Sequence, residues 1–339
     1  MKQNYQMAAA ACLLIAGAAL WSWLVPGSSG KSQVPPALSA ASNASAVITT
    51  YNSRRELETE TFAKTPERVI ALWQGPIETL LALGVGDRIV AATGIPDEKF
   101  LRPDLAELYE EIPYHAFESL DKESAVAWNP DFIVTSWESA FSDKGIGTTS
   151  FWQSRGVKTY IGEIPRDAPE KRTLDYEYKV IMDMGKIFHV EPRAEEIVQG
   201  MRDRMKELQT QAAAFNTRPT VMIVQYMGKQ IMSWGDNYLQ ADIVKNLGGR
   251  LLFHETGFIT EEEILRQRPD VIFLMVNEWD YDHKEEIRQK LLSDPSLNSL
   301  PCIQNGRVYL FPLYEGQYSG VRTAEGVERI AKGLYPDIQ

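Results

Sequence analysis

The chain has 339 residues, enough for two ordinary domains each with its own core, and it is acidic, with a net charge of -11 and an isoelectric point near 5.0. That balance argues against a nucleic-acid partner, which needs a basic face. Cys12 and Cys302 are the two cysteines, so neither a disulfide framework nor a cysteine-built metal site is available.

At the N-terminus Lys2 precedes an uncharged, mostly apolar run over residues 7–25. Such a run would span about 28 Å as a helix, close to the hydrocarbon thickness of a bilayer. Residues 1–25 are therefore expected to be a membrane anchor, with a cleaved export signal as the alternative. A lipid-modified Cys12 is the third reading; too few apolar residues precede it, and Ala9 rather than leucine sits three positions before it. All three place the rest of the protein outside the cytoplasm. Residues 26–53 are rich in Ser, Ala, Pro and Gly without periodicity, and a flexible tether is expected over 26–65.

The first lobe is expected over residues 66–169. Strands fall at 68–72, 89–93, 132–136 and 157–161, and helices at 76–83, 103–110, 123–128 and 147–155. Residues 170–190 form a connecting helix: Leu174, Tyr178, Ile181, Gly185 and Phe188 share one face at 3.6-residue spacing. Pro192 breaks it, and an amphipathic helix follows over 193–211. The second lobe, 191–339, repeats the alternation. Its strands fall at 220–225, 230–234, 271–276 and 307–311, and its helices at 239–247, 261–268, 284–292 and 324–334. Alternating strands and helices imply right-handed crossovers. The expected fold is α/β, with two Rossmann-like lobes of mainly parallel sheets joined by one long rigid helix.

Nucleotide and hydrolase motifs fail. Gly84-Val85-Gly86 lacks a third glycine and closes a helix, Gly30-Lys31-Ser32 lacks the leading glycine of a phosphate loop, and there is no Gly-x-Ser-x-Gly elbow. His115, His189, His254 and His283 are scattered, without ligand spacing. One unit does recur. Glu123 and Glu262 each stand seven residues before a Pro-Asp pair that opens an apolar run, Pro130-Asp131 and Pro269-Asp270. Helix dipoles favour acids in a first turn and account for either glutamate singly; the matched offset suggests two lobes of similar build with paired surface carboxylates.

Aromatic residues cluster after strands, where an α/β lobe opens its cleft. Trp73, Trp137 with Glu138, Tyr226, Trp234, Asn277 with Trp279, and Tyr314 and Tyr318 with Arg322 all follow this pattern. Any one of them can simply cap a core. Together they suggest an aromatic-lined pocket for a large, flat or greasy ligand, with Arg322 and Lys144 available to offset anionic charge.

Residues 68–72 (Arg-Val-Ile-Ala-Leu), 77–84 (Ile-Glu-Thr-Leu-Leu-Ala-Leu-Gly) and 129–134 (Asn-Pro-Asp-Phe-Ile-Val) carry a resemblance, as do 242–249 (Asp-Ile-Val-Lys-Asn-Leu-Gly-Gly), 268–272 (Arg-Pro-Asp-Val-Ile) and 305–309 (Asn-Gly-Arg-Val-Tyr). Over residues 66–334 the chain resembles the class III substrate-binding proteins of ABC importers for iron-siderophores, haem and cobalamin. The resemblance implies a ligand held between the lobes, small lobe motions, no intrinsic cofactor, and delivery to a membrane permease with its ATPase subunits. It also implies that one surface glutamate per lobe pairs with permease arginines, positions that Glu123 and Glu262 match, with Asp121, Glu261 and Glu263 as neighbouring candidates. A ferric siderophore is the expected cargo and cobalamin or haem the alternatives. Two departures stand out: Trp73-Gln74-Gly75 replaces the Ser/Pro-rich turn common after the first strand, and no convincing lipidation motif is present. The expected protein is a monomer in the periplasm or on the outer face of the cytoplasmic membrane. The competing classes are a chelatase or hydrolase using Glu138 with His254, and a sensor or adhesion module using the same surface glutamates.

Overall fold

The computed structural model describes residues 45–317 and 320–339. The expected anchor over 1–25, residues 26–44 of the tether, and Tyr318 lie outside the described residues. No helix among the described residues is long and apolar enough to cross a membrane.

Residues 46–62 are not tether. They form an antiparallel hairpin of β1 (Ala46–Tyr51) and β2 (Leu57–Phe62). Alternation buries Ile48, Thr50 and Phe62 and leaves Val47 and Thr49 exposed. Phe62 meets Phe132 edge-on at 5.3 Å, and the Thr50 hydroxyl donates to the Ile161 carbonyl at 3.2 Å. Each large apolar side chain buried here contributes about 1.5–3 kcal/mol, which fixes the hairpin to the first lobe. The Ser/Thr-rich composition hides this period-two pattern in the sequence.

The first lobe continues with β3 (Val69–Leu72), α1 (Gln74–Ala82), β4 (Ile89–Thr93), α2 (Ala106–Glu110), β5 (His115–Ala116), α3 (Lys122–Ala127), β6 (Phe132–Thr135), α4 (Thr149–Gln153) and β7 (Lys158–Ile161). Its sheet is fully parallel in the order β5-β4-β3-β6-β7. The central strands β3 and β6 are buried at every position, as in a sheet covered on both faces.

The connecting helix α5 (Leu174–Phe188) begins at the Thr173 cap and ends at His189 in the left-handed region, φ 56°. All five residues of its expected apolar face are buried. The next helix, α6 (Glu191–Ala213), carries Pro192 in its first turn, where the missing N–H costs nothing. A Cβ on Gly185 would stand 2.5 Å from the Ala194 Cβ, so the close approach of α5 and α6 requires glycine there.

The second lobe holds β8 (Thr220–Met227), β9 (Gln230–Ser233), α7 (Leu239–Asn246), β10 (Arg250–Leu251), β11 (Gly257–Ile259), α8 (Glu261–Gln267), β12 (Val271–Val276), α9 (Lys284–Leu292), α10 (Pro301–Gln304), β13 (Val308–Pro312) and α11 (Thr323–Leu334). Its sheet runs β11-β9-β8-β12-β13, with β10 added to β8. β8, β10, β12 and β13 are parallel, whereas β9 runs antiparallel to both of its neighbours, β8 and β11. The mixed edge arises because β9 returns directly from β8 through the Gly228 turn.

The recurring Pro-Asp pair has one structural purpose in both lobes. Asp131 accepts from the backbone N–H of Glu67 and Arg68 at 2.8 and 2.9 Å, clamping the entry to β3. Asp270 accepts from the Thr220 N–H and hydroxyl, both at 2.8 Å, clamping the start of β8. The residue before each proline, Asn129 or Arg268, has a positive φ of 46° or 48°. The two lobes are therefore built on the same strand-entry device.

Candidate functional site: an aromatic seam between the lobes

Trp73 leaves β3 with φ 72° and ψ 157°, a strained backbone for a non-glycine residue. Its N–H donates to the Thr93 carbonyl at 2.7 Å, and a Cβ on Gly94 would stand within 3.1 Å of its backbone. Trp73 and Trp137 pack against the buried pair Phe100 and Tyr314, as does Tyr281. Phe100 belongs to the first lobe, Tyr281 and Tyr314 to the second. Their ring centroids lie 5.2 Å apart for Phe100 and Tyr281, and 5.8 Å for Phe100 and Tyr314. At the rim Trp279, 56% exposed, meets Phe117 of the first lobe at 5.8 Å. Lys99 Nζ reaches Asp282 Oδ1 across the boundary at 2.7 Å.

Beneath the rings lies a buried ionic floor. Glu78, in the apolar helix α1, is fully buried, and burial holds its carboxyl above the usual range against the opposing pull of Arg322. Glu78 Oε1 accepts from the Arg102 N–H at 2.7 Å and from Gln74 Nε2 at 3.3 Å, while Gln74 Nε2 also donates to the Phe100 carbonyl at 2.5 Å. Arg322 Nε stands 3.6 Å from Glu78 Oε2, and its guanidinium lies 4.6 Å over the Tyr314 ring. Arg102 makes a bidentate pair with Asp104, and Arg329 one with Glu315. Burial raises the Tyr314 phenol far above its ordinary value. Glu325 is pushed up to about 7 by burial, although its side chain is 39% exposed; its shielded atom is Oε2.

A second ionic knot fastens the base. Glu177 of α5 accepts from Arg172 Nε at 2.7 Å, from the Gly320 N–H at 2.9 Å and from the Thr323 hydroxyl at 3.3 Å. Arg172 also donates to the Gln317 carbonyl at 2.6 Å. Gly320 has φ 134°, and a Cβ there would stand 2.1 Å from Thr79 Oγ1, so glycine brings the loop that carries Arg322 against the first lobe.

Of the residues singled out in the sequence, Trp73, Trp137, Tyr314 and Arg322 converge on the seam and Trp279 stands at its rim. Asn277 shapes the loop after β12, its Oδ1 accepting from the Asp280 N–H at 2.8 Å. The remaining members of that set lie elsewhere. Glu138 pairs with Arg55 of the hairpin turn at 2.6 Å. Tyr226, still within β8, packs on the second lobe's core beneath Lys290, 3.8 Å over its ring. Trp234 is buried against Tyr238 at 4.5 Å. Lys144 is exposed in the loop before α4. His254 pairs with Asp236 at 3.2 Å, so the suggested Glu138–His254 couple is not assembled. Sequence reading missed Phe100, Tyr281, Gln74, Glu78 and Arg102. Glu78 did carry a signal, a lone acid inside an apolar helix; the others carried none. Among the described residues no group of three or more His, Cys, Asp or Glu could hold a metal ion.

Glu123 and Glu262 occupy the same place, the second residue of α3 and of α8, and both are exposed. Neither carboxylate makes an ion pair among the described residues. Two of the three neighbouring candidates are committed elsewhere: Asp121 caps α3 by accepting from the Ser124 N–H at 2.7 Å, and Glu263 closes a capping box with Thr260, whereas Glu261, the first residue of α8, stays a docking candidate beside Glu262. Concavities of about 230 Å³ beside β2 and β7 and about 350 Å³ between α5, α6 and α7 lie away from the seam.

Two α/β lobes, one rigid connecting helix and an aromatic seam define a two-lobed solute-binding protein. The chain belongs to the periplasmic binding protein family, which matches residues 69–314, and is a substrate-binding component of an ABC transporter rather than an enzyme. A periplasmic binding protein from Veillonella parvula superposes with a TM-score of 0.80 at 35% identity, over 86% of this chain and 92% of that one. A component of an ABC-type Fe3+-hydroxamate transport system from Saccharomonospora viridis shares the fold, with a TM-score of 0.69 at 20% identity over 85% and 99%. An uncharacterised ABC transporter substrate-binding lipoprotein, YvrC of Bacillus subtilis, is 21% identical over 82% of both chains. The vitamin B12-binding protein of Photorhabdus laumondii is 21% identical over 62% of this chain and 70% of its own.

Proposed function

We propose that this protein captures a metal chelate, a ferric siderophore in the first instance, between its lobes outside the cytoplasm and delivers it to an ABC permease. The observation that carries the reading is the meeting of Phe100 and the two tryptophans of one lobe with Tyr281 and Tyr314 of the other. Rings from both lobes suit a ligand with large apolar faces and poorly suit a bare ion. A corrinoid is the second reading, favoured by the vitamin B12-binding relative. Haem is the remaining alternative; it needs an axial ligand, and Tyr314 at the seam carries a phenol that burial raises above its ordinary value. The exposed pair Glu123 and Glu262 would set register on the permease, one carboxylate per lobe. Residues 7–25 would tether the protein to the membrane, and it would act as a monomer.

The test is tryptophan fluorescence, because Trp73, Trp137 and Trp279 all stand at the seam. Full-length protein in mild detergent is titrated with ferric hydroxamates, cyanocobalamin and haemin. Saturable quenching by a chelate at micromolar or lower concentration is expected, and it should shrink in Trp73→Phe. Silence across all three classes would refute chelate capture.

A further inference from the structure

The ionic floor constrains the charge of the cargo. Arg102 is taken up by Asp104 at 2.8 and 3.1 Å, and Arg329 by Glu315 at 2.6 and 2.7 Å. Arg322 faces Glu78 at 3.6 Å and Glu325 at 4.0 Å. At the mouth Lys99 is held by Asp282 and Asp97, and Lys284 lies 3.7 Å over the Tyr281 ring. Each of these cations therefore already faces a carboxylate or an aromatic ring. The floor sets Arg102, Arg322 and Arg329 against Glu78, Asp104, Glu315 and Glu325, so carboxyl groups outnumber guanidinium groups, and burial disfavours the charged form of Glu78 and Glu325. Glu98, Glu278 and Asp280 add further acids along the same two loops.

The unmet hydrogen-bonding capacity has the same sign. Gln74 Oε1, Glu78 Oε2 and Glu325 Oε2 are shielded acceptors that meet no donor among the described residues. The one shielded donor of the floor in that condition, Arg322 Nε, faces Glu78 Oε2 within the ion pair but beyond hydrogen-bond distance. Satisfying that pair internally leaves acceptors in excess, and such acceptors call for N–H or O–H groups on whatever enters. An anionic group would arrive beside a carboxyl-rich floor whose arginines, among the described residues, already face carboxylates. A neutral or cationic chelate meets rings, which favour it through stacking and cation–π attraction.

We infer that the cargo is a net-neutral or cationic metal chelate whose rim carries N–H donors, such as amides or an amine, and that anionic chelates are selected against. This rests on the chelate-binding reading above and narrows it. The test holds one chelate core fixed and changes only its charge. Full-length protein is titrated near neutral pH with ferrioxamine B, a cation, with its N-acetyl derivative, which is neutral, and with its N-succinyl derivative, an anion. Cyanocobalamin and its monocarboxylic acid form a second matched pair. The neutral and cationic members are expected to bind at least about tenfold more tightly than the anionic one. Asp104→Asn, which releases Arg102, should narrow that ratio, as should Glu78→Gln where it folds. Equal or tighter binding of the anionic members overturns the inference while leaving chelate capture standing. No binding by any member removes chelate capture itself, and the inference falls with it.

Discussion

Glu177 offers the sharpest test of how the lobes are fastened. Its fully buried carboxylate faces Arg172 and holds the Gly320 N–H and the Thr323 hydroxyl on either side of Arg322. Glu177→Ala removes three hydrogen bonds, takes the carboxylate from a buried guanidinium, and strands a buried backbone donor. Breaking a buried ion pair from one side costs about 3–5 kcal/mol, and the orphaned Gly320 N–H lies within that figure. At about 2 °C per kcal/mol for a chain of this size, the melting temperature should fall by roughly 5–10 °C. Urea denaturation followed by tryptophan emission measures the loss directly. The diagnostic comparison is the double variant Arg172→Met, Glu177→Met. Removing both charges avoids the stranded ion, so the double variant should be less destabilised than the sum of its single substitutions. A single-site loss below about 1 kcal/mol, or simple additivity, would refute the claim that this pair fastens the Arg322 loop.

Asp131→Ala and Asp270→Ala should each cost about 1–3 kcal/mol, and by similar amounts, because each releases two charge-assisted hydrogen bonds at a strand entry; a large loss in one lobe only would break the proposed equivalence. Burial pushes Glu163 up to about 7, as it does Glu325. An acid whose folded value is raised stabilises the fold when protonated, so this contribution is complete below the unfolded value and is lost as pH rises through about 7. Denaturation midpoints should therefore fall between about pH 4.5 and 7, and Glu163→Gln should flatten that slope; an unchanged slope excludes Glu163 as its source. The double variant Glu123→Lys, Glu262→Lys should abolish uptake in reconstituted vesicles while ligand affinity stays within about twofold, since both carboxylates are exposed and neither belongs to the aromatic cluster of the seam. Uptake that persists would disprove the docking role.

The layered fold was legible because its signals are local. Buried runs such as residues 271–276 and the 3.6-residue face of α5 survive whatever packs against them. The hairpin over 46–62 was not, because its period-two pattern is carried by threonines and glutamates that elsewhere mark loops. The site divides in the same way. Trp73, Trp137 and Tyr314 were found by their place at strand ends, a rule of topology. Phe100 and Tyr281 sit on short 3-10 turns, at Glu98–Phe100 and Tyr281–His283, that no periodicity announces. Their partnership exists only across the lobe boundary. Tyr226 and Trp234 obeyed the same rule and went elsewhere, because β8 extends through Met227 into a hairpin that carries both residues away from the strand end.

The recurrence of Glu123 and Glu262 also changes meaning once the strand entries are seen. Each stands at the second position of a short helix whose end is set by a left-handed residue, a buried proline and a clamping aspartate. Helix length and clamp together keep the seven-residue offset, so the spacing alone follows from architecture. The offset does not require the carboxylates to be exposed or uncommitted. Around α8 the adjacent Glu263 is spent on a capping box, and before α3 Asp121 is spent as a cap. Acids serving the helix thus bond to its backbone, while Glu123 and Glu262 remain directed to solvent in both lobes. A docking role therefore rests on that contrast between committed and uncommitted neighbours, which the double charge reversal probes without touching either strand entry.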